Sequence, residues 1–251
     1  MELGIRLSAV ADLILPATTF ADVGCDHGYL SVYLIERQRC RKVIAMDVRK
    51  GPLERAKHTI ATFGQDAYIE TRLSDGIRKL LPGEAEGFVC AGMGGRLALQ
   101  IMYQDRDKVA QMKQIVLQPQ SELWLVRRML ARWGMCTEEE CMVWEDGKYY
   151  PMMRIRPVKA FAMAEPVTDT SFLDGFTDEN WERYARELYG PSLLEKRDAV
   201  LKAFLERECE RLGSIKKSLQ SGEPSAQRTE RLAELEKEIL IAGNALTFFY
   251  G

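Results

Sequence analysis

Between Thr19 and Leu117 the chain repeats one alternation, a short apolar run followed by a longer segment with helical spacing of its apolar residues. The runs Thr19–Val23, Lys42–Met46, Ala67–Thr71, Gly87–Ala91 and Gln114–Leu117 read as strands. Helices are expected near Tyr29–Arg37, Pro52–Phe63, Gly94–Tyr103 and Ser121–Trp133, after an opening amphipathic helix over residues 2–15 that Pro16 ends. Strands separated by helices cannot pair as hairpins. They imply a mostly parallel sheet covered on both faces, which is an α/β fold.

The rhythm changes after Trp133. Met135–Glu145 and Lys148–Arg156 flank Asp146-Gly147, a dipeptide that accepts the two positive φ angles of a type I′ turn, so the sheet is expected to end in an antiparallel pair. Beyond Pro157 the chain is almost wholly helical: a short helix near Asp178–Leu188, then Leu205, Leu212 and Leu219 at seven-residue steps with Leu194, Leu201 and Ile215 beside them. The turn Ser221-Gly222-Glu223-Pro224 precedes Leu232, Leu235, Ile239, Ala242, Leu246 and Phe249, and the two rows read as an antiparallel coiled-coil hairpin. At 251 residues two domains are expected, one over 1–158 and a helical one over 159–251.

Composition removes several classes. With 46% hydrophobic and 29% charged residues the chain resembles an ordinary globular protein, not a disordered or collagen-like one. Asp12 interrupts the N-terminal apolar run and no stretch is long enough to span a bilayer, so a soluble, cytoplasmic, monomeric protein without a membrane partner is expected. Cys25, Cys40, Cys90, Cys136, Cys141 and Cys209 form no C-x-x-C pair, and only His27 and His58 could complete a metal site. Reduced core thiols and no metal are the expectation. Residues 1–158 carry 22 basic and 20 acidic side chains and 159–251 carry 13 and 17, so bulk charge does not mark a nucleic-acid binder.

The strongest local signal is Ala21-Asp22-Val23-Gly24-Cys25-Asp26-His27-Gly28-Tyr29-Leu30, which follows the first strand and opens the first crossover helix. That turn lies where an open α/β sheet forms its ligand crevice. A dinucleotide fingerprint from Gly24 would need glycines where Asp26 and Tyr29 stand, and a pyrophosphate beside Asp26 is electrostatically poor. In D-x-G-x-D-x-G the glycines Gly24 and Gly28 let backbone approach a ligand while Asp22 and Asp26 suit a cationic one. S-adenosylmethionine carries an ammonium and a sulfonium and no phosphate. Asp47 ends the second strand 23 residues past Gly24, placed to accept ribose hydroxyls, and Asp75-Gly76 after the third strand can read an adenine edge. Together these residues describe the S-adenosylmethionine site of a class I, Rossmann-like methyltransferase. After the fourth strand, Gly92-Met93-Gly94-Gly95 replaces the Asn/Asp-Pro-Pro-aromatic motif of amino-directed adenine methyltransferases. A flat wall results, with Gly92 and Met93 toward the cofactor and Gly94, Gly95 and Arg96 toward a flat base.

The sequence resembles the bacterial TrmK-type tRNA (adenine-N1)-methyltransferases, which act on the adenine at position 22 of tRNA. The resemblance rests on Arg6-Leu7-Ser8-Ala9-Val10-Ala11-Asp12, the Asp-Val-Gly-Cys-Asp-His-Gly-Tyr-Leu turn, Leu73–Gly76, Ala91–Gly95 and Leu117-Gln118-Pro119. It implies S-adenosylmethionine as cofactor and tRNA as partner. The N1 lone pair of adenine is free at neutral pH, so positioning outweighs base catalysis. Asp26, His27 and Tyr29 are the expected catalytic residues: Asp26 beside the developing cation, His27 orienting the base, Tyr29 stacking on it. Lys216, Lys217 and Arg228 in the helical part are candidate phosphate contacts. Two alternatives are a small-molecule methyltransferase and a non-enzymatic RNA-binding coiled-coil protein.

Overall fold

A computed structural model describes residues 1–157, 171–221 and 225–250. The chain divides into units spanning Met1–Val167 and Thr168–Gly251. The boundary expected between residues 158 and 159 and most of the turn over residues 221–224 lie outside the described residues.

Seven strands form the sheet of the first unit: β1 (Ala17–Val23), β2 (Cys40–Asp47), β3 (Ile69–Leu73), β4 (Gly87–Met93), β5 (Gln114–Pro119), β6 (Cys136–Glu145) and β7 (Lys148–Arg156). Their order is β3-β2-β1-β4-β5-β7-β6. Strands β1 to β5 pair in parallel and β7 runs antiparallel to both β5 and β6, so one reversed strand closes a Rossmann-like methyltransferase sheet. Asp146 and Gly147 both have positive φ, 47° and 78°, as the two-residue turn requires. β3 starts at Ile69 rather than at Ala67, because Ile69 N still donates to Gln65 O in the preceding turn.

Helices α1 (Ile5–Leu13), α2 (Tyr29–Glu36) and α3 (Lys50–Thr62) supply the core of one face; α4 (Gly95–Gln104), α5 (Arg106–Val109) and α6 (Leu123–Arg132) belong to the other. The period-two alternation of a strand divides β1 accordingly: Ala21 and Val23 pack into one core, Phe20 into the other. Because β1 is flanked by β2 and β4, the chain leaves it in one direction and returns on the other side. The loops after β1 and β4 therefore diverge and open a crevice above the carboxyl ends of these strands.

The second unit holds α7 (Trp181–Tyr189), α8 (Pro191–Glu195), α9 (Ala199–Gln220) and α10 (Ala226–Thr247). Asp198 caps α9 by accepting from Val200 N and Leu201 N, and Ser225 caps α10 by accepting from Arg228 N. α9 and α10 pair, with Leu201, Leu205, Leu212, Leu235, Ile241, Ala242 and Ala245 buried. Ile239 and Leu246, expected in the seam, are only partly buried. Tyr184 is fully buried, its hydroxyl donating to Asp174 O at 2.6 Å between the edges of Phe172 and Phe176. Among the described residues no helix is long and apolar enough to cross a membrane.

Candidate cofactor and substrate site

The crevice over β1, β2 and β4 is a cavity of about 540 Å³. Its floor is the turn after β1. Gly24 (φ 75°), Asp26 (φ 46°) and Gly28 (φ 72°) all occupy the left-handed region, which glycine adopts freely and aspartate tolerates. Gly24 N and Cys25 N both donate to Met46 O, at 2.8 and 3.0 Å, tying the turn to the end of β2. A Cβ on Gly24 would lie 2.2 Å from Met93 Cε, the movable end of that side chain, so the positive φ rather than lack of space is what favours glycine here. Gly28 does not line the cavity; it starts α2 against Ala56, 3.1 Å from where its Cβ would lie.

Three carboxylates surround this floor. Asp22 is buried and accepts a 2.6 Å hydrogen bond from Ser31 Oγ. Burial pushes its carboxyl up to about 6 against the lowering effect of Ser31, and the nearby Asp47 charge adds to the rise. Asp47, also buried, takes Arg49 N on Oδ1 at 2.8 Å at the end of β2. Asp26 is exposed and accepts from Arg55 Nη2 of α3 at 2.9 Å; His27 Nε2 lies 3.7 Å from its other oxygen. His27 stacks on Tyr29 with ring centroids 5.6 Å apart and planes 8° from parallel, and Tyr29 keeps nearly half its surface exposed over the cavity. Asp75 and Gly76 line the side beyond Asp47, with Asp75 paired to Arg78 at 3.4 Å. Asp22, Gly24, Asp26, His27, Tyr29, Asp47, Asp75, Gly76, Gly92 and Met93 thus converge on one cavity, as their order along the sequence implies.

Gly94, Gly95 and Arg96, expected to face a flat base, lie outside the lining of this cavity. A Cβ on Gly94 would meet Ser121 Oγ at 3.2 Å and one on Gly95 would meet Ser121 O at 2.6 Å. These glycines admit the segment after β5 close to the start of α4, and Arg96 turns outward to Glu122. In the second unit Lys216 is ion-paired to Glu236 across the α9–α10 hairpin at 2.8 Å, so it is engaged within that unit; Lys217 lies in the last turn of α9 and Arg228 in the first turn of α10.

The cavity also has residues that the sequence did not single out for a role. Arg6 of α1, Leu97 and Ile101 of α4, and Gln120 after β5 line it. Arg6 and Gln118 stand within the stretches that carry the family resemblance, which was the available signal. Their contact, Arg6 Nη1 to Gln118 Oε1 at 2.9 Å, joins residues 112 apart and exists only in the fold.

Thiol chemistry has little support here. Cys90 is buried and its thiol is pushed up to about 12 by desolvation, with the Asp22 charge second; Cys25 is raised further by burial. Cys25, Cys40 and Cys90 are core thiols as expected, whereas Cys136 is exposed.

The site fits a nucleoside with a cationic tail. Buried Asp47 suits a pair of hydroxyls, Asp22 and Asp26 suit positive charge, and Gly24 leaves the backbone open. The family described as "Methyltransferase domain" matches residues 3–153. The tRNA (adenine(22)-N(1))-methyltransferase of Bacillus subtilis is 28% identical over 235 residues, covering 94% of this chain and 93% of that protein. The crystal structure of the B. subtilis m1A22 tRNA methyltransferase TrmK has a TM-score of 0.78 and 26% identity, covering 98% of this chain and 99% of that one. A Listeria monocytogenes serotype 4b protein described as uncharacterized has a TM-score of 0.83 and 26% identity, covering 98% of this chain and 100% of its own.

Proposed function

The chain belongs to the methyltransferase-domain family, and on that premise we propose that it is a tRNA (adenine(22)-N1)-methyltransferase that uses S-adenosylmethionine. The observation that carries the reading is the convergence of Asp22, Asp26 and Asp47 with the left-handed Gly24 turn on a single cavity at the switch point of the sheet. Bound there, S-adenosylmethionine would supply an activated methyl group for the free N1 lone pair of adenine to accept, with the sulfur keeping the electron pair of the broken S–CH₃ bond.

The chain's own residues bind and orient. Asp47 accepts the ribose hydroxyls, Asp75 and Gly76 border the nucleobase of the cofactor, and Asp22 with Asp26 favours its positive charges. Tyr29 stacks on the target adenine, backed by His27, and Asp26 stands near the cation that methylation creates. N1 lies on the Watson–Crick edge, so a paired base must leave its stack, at a cost of a few kcal/mol. No side chain has to remove a proton before transfer, which agrees with an arrangement of carboxylates and aromatic rings around a cavity in which burial raises the Cys25 thiol.

Residues 1–158 form the catalytic domain in this reading, and 159–251 form a helical coiled-coil domain that binds tRNA through groups including Lys217 and Arg228. The enzyme acts as a monomer in the bacterial cytoplasm without a metal. Calorimetry with S-adenosylmethionine and incorporation of labelled methyl into an unmodified tRNA pool test the proposal together. Cofactor binding with methylation is expected; cofactor binding with no tRNA methylation would favour a small-molecule substrate, and no cofactor binding would favour a non-enzymatic RNA-binding protein.

A further inference from the structure

Two glutamines near the end of β5 are treated oppositely by the fold. Gln118 is fully buried and both ends of its amide are committed, Oε1 to Arg6 Nη1 at 2.9 Å and Nε2 to Pro119 O at 3.3 Å. Gln120 is exposed and lines the same cavity as Asp26 and Tyr29; its side-chain amide has no hydrogen-bond partner among the described residues. Its backbone is nonetheless fixed, because Gln120 N donates to Met93 O at 2.9 Å.

Gly92 lies between the two polar groups that border this wall. It has φ 81°, and a Cβ there would lie 3.7 Å from Gln120 Nε2 and 3.9 Å from Arg6 Nη1. Arg6 is held in place by Gln118 and by the Tyr150 ring, whose centroid is 5.5 Å from the guanidinium carbon. Of the two, Gln120 is therefore the side chain left to turn toward a ligand. A β-bulge between Ala91 and Met93 aims the loop at the cavity, and glycine at position 92 leaves the space between these groups open.

A side-chain amide matches one edge of adenine: its oxygen accepts from N6–H and its NH₂ donates to N7. Guanine presents the acceptor O6 where adenine has N6–H, so the same amide cannot make both contacts. Reading that edge also leaves N1 unobstructed. Unstacked bases in RNA are commonly recognised by hydrogen bonds on such edges. We propose that Gln120 reads the N6/N7 edge of the target adenine and so holds N1 in line for transfer. The proposal rests on the tRNA methyltransferase reading and names how that site recognises its base.

The test compares the full-length wild type with Gln120→Leu on tRNA carrying either adenine or 7-deazaadenine at the target position. 7-Deazaadenine lacks the N7 acceptor and keeps N1 and N6. Wild type should lose about tenfold in kcat/KM on the 7-deaza substrate, while Gln120→Leu, already about tenfold slower on adenine, should treat the two alike. Equal rates of wild type on both substrates would overturn the assignment. A loss of S-adenosylmethionine affinity in Gln120→Leu, read by calorimetry, would also overturn it by giving the amide to the cofactor. Failure of wild type to methylate either tRNA while it still binds S-adenosylmethionine would instead remove the tRNA reading on which the assignment depends.

Discussion

Arg55 Nη2 donates to Asp26 Oδ1 at 2.9 Å, so the second crossover helix holds the carboxylate that projects from the first β–α turn. Asp26 sits in the left-handed region, where its own backbone gives little support, and the ion pair fixes the direction of its side chain. An exposed pair of this kind is worth only about 0–1 kcal/mol to stability. Its importance lies in placing charge at the mouth of the cavity.

Arg55→Ala and Asp26→Asn should therefore each lower turnover while leaving thermal stability nearly unchanged. The double substitution should cost no more than the worse single one, because both remove the same positioned carboxylate. Additive losses in kcat would show that Arg55 acts separately from Asp26.

Asp47→Ala should weaken S-adenosylmethionine binding by about 1.5 to 3 kcal/mol, the range for hydrogen bonds to a charged group. One carboxylate oxygen already takes Arg49 N, so some disturbance of that loop is expected as well. Calorimetry beside a melting curve separates the two effects. Unchanged affinity in a folded variant would contradict the ribose assignment.

Burial raises the Asp22 carboxyl from 3.8 to about 6. The folded protein then retains a proton that the unfolded chain gives up, so Asp22 contributes stability that is full below about pH 4 and lost as pH rises through about 6. Asparagine keeps an acceptor for Ser31 and removes the titration. Asp22→Asn should gain up to about 3 kcal/mol over wild type above pH 6, with the gain shrinking toward pH 4. Denaturant unfolding of both proteins across that range reads the difference directly, and a gap independent of pH would mean that burial of the charge is not its cause.

Much of the fold was legible because strand and helix periods differ, and the Asp146-Gly147 turn declared the reversed strand. The buried stripe of α10 was not: Ile239, Leu240 and Ile241 are consecutive aliphatic residues, so spacing alone leaves the phase open, and packing selects Ile241. At the site, Gly24 and Asp47 could be read from their places at strand ends. Gly94 and Gly95 pack against Ser121, a role that sequence cannot tell from admitting a ligand, because a glycine that admits a neighbouring residue looks the same in both cases. Arg6 and Gln120 were not assigned roles because α1 and the end of β5 meet the same cavity only after the sheet has formed.

In the proposed reaction this chain transfers a methyl group to N1 of adenine 22 in tRNA. The most direct measurement is complete nucleoside digestion of unmodified tRNA after reaction, under conditions that prevent rearrangement of N1-methyladenosine, with chromatography against both methyladenosine standards and mapping of the modified position. A single new peak at N1-methyladenosine, mapping to position 22, is the expected result. N6-methyladenosine present from the outset, or a methylcytidine, would contradict it.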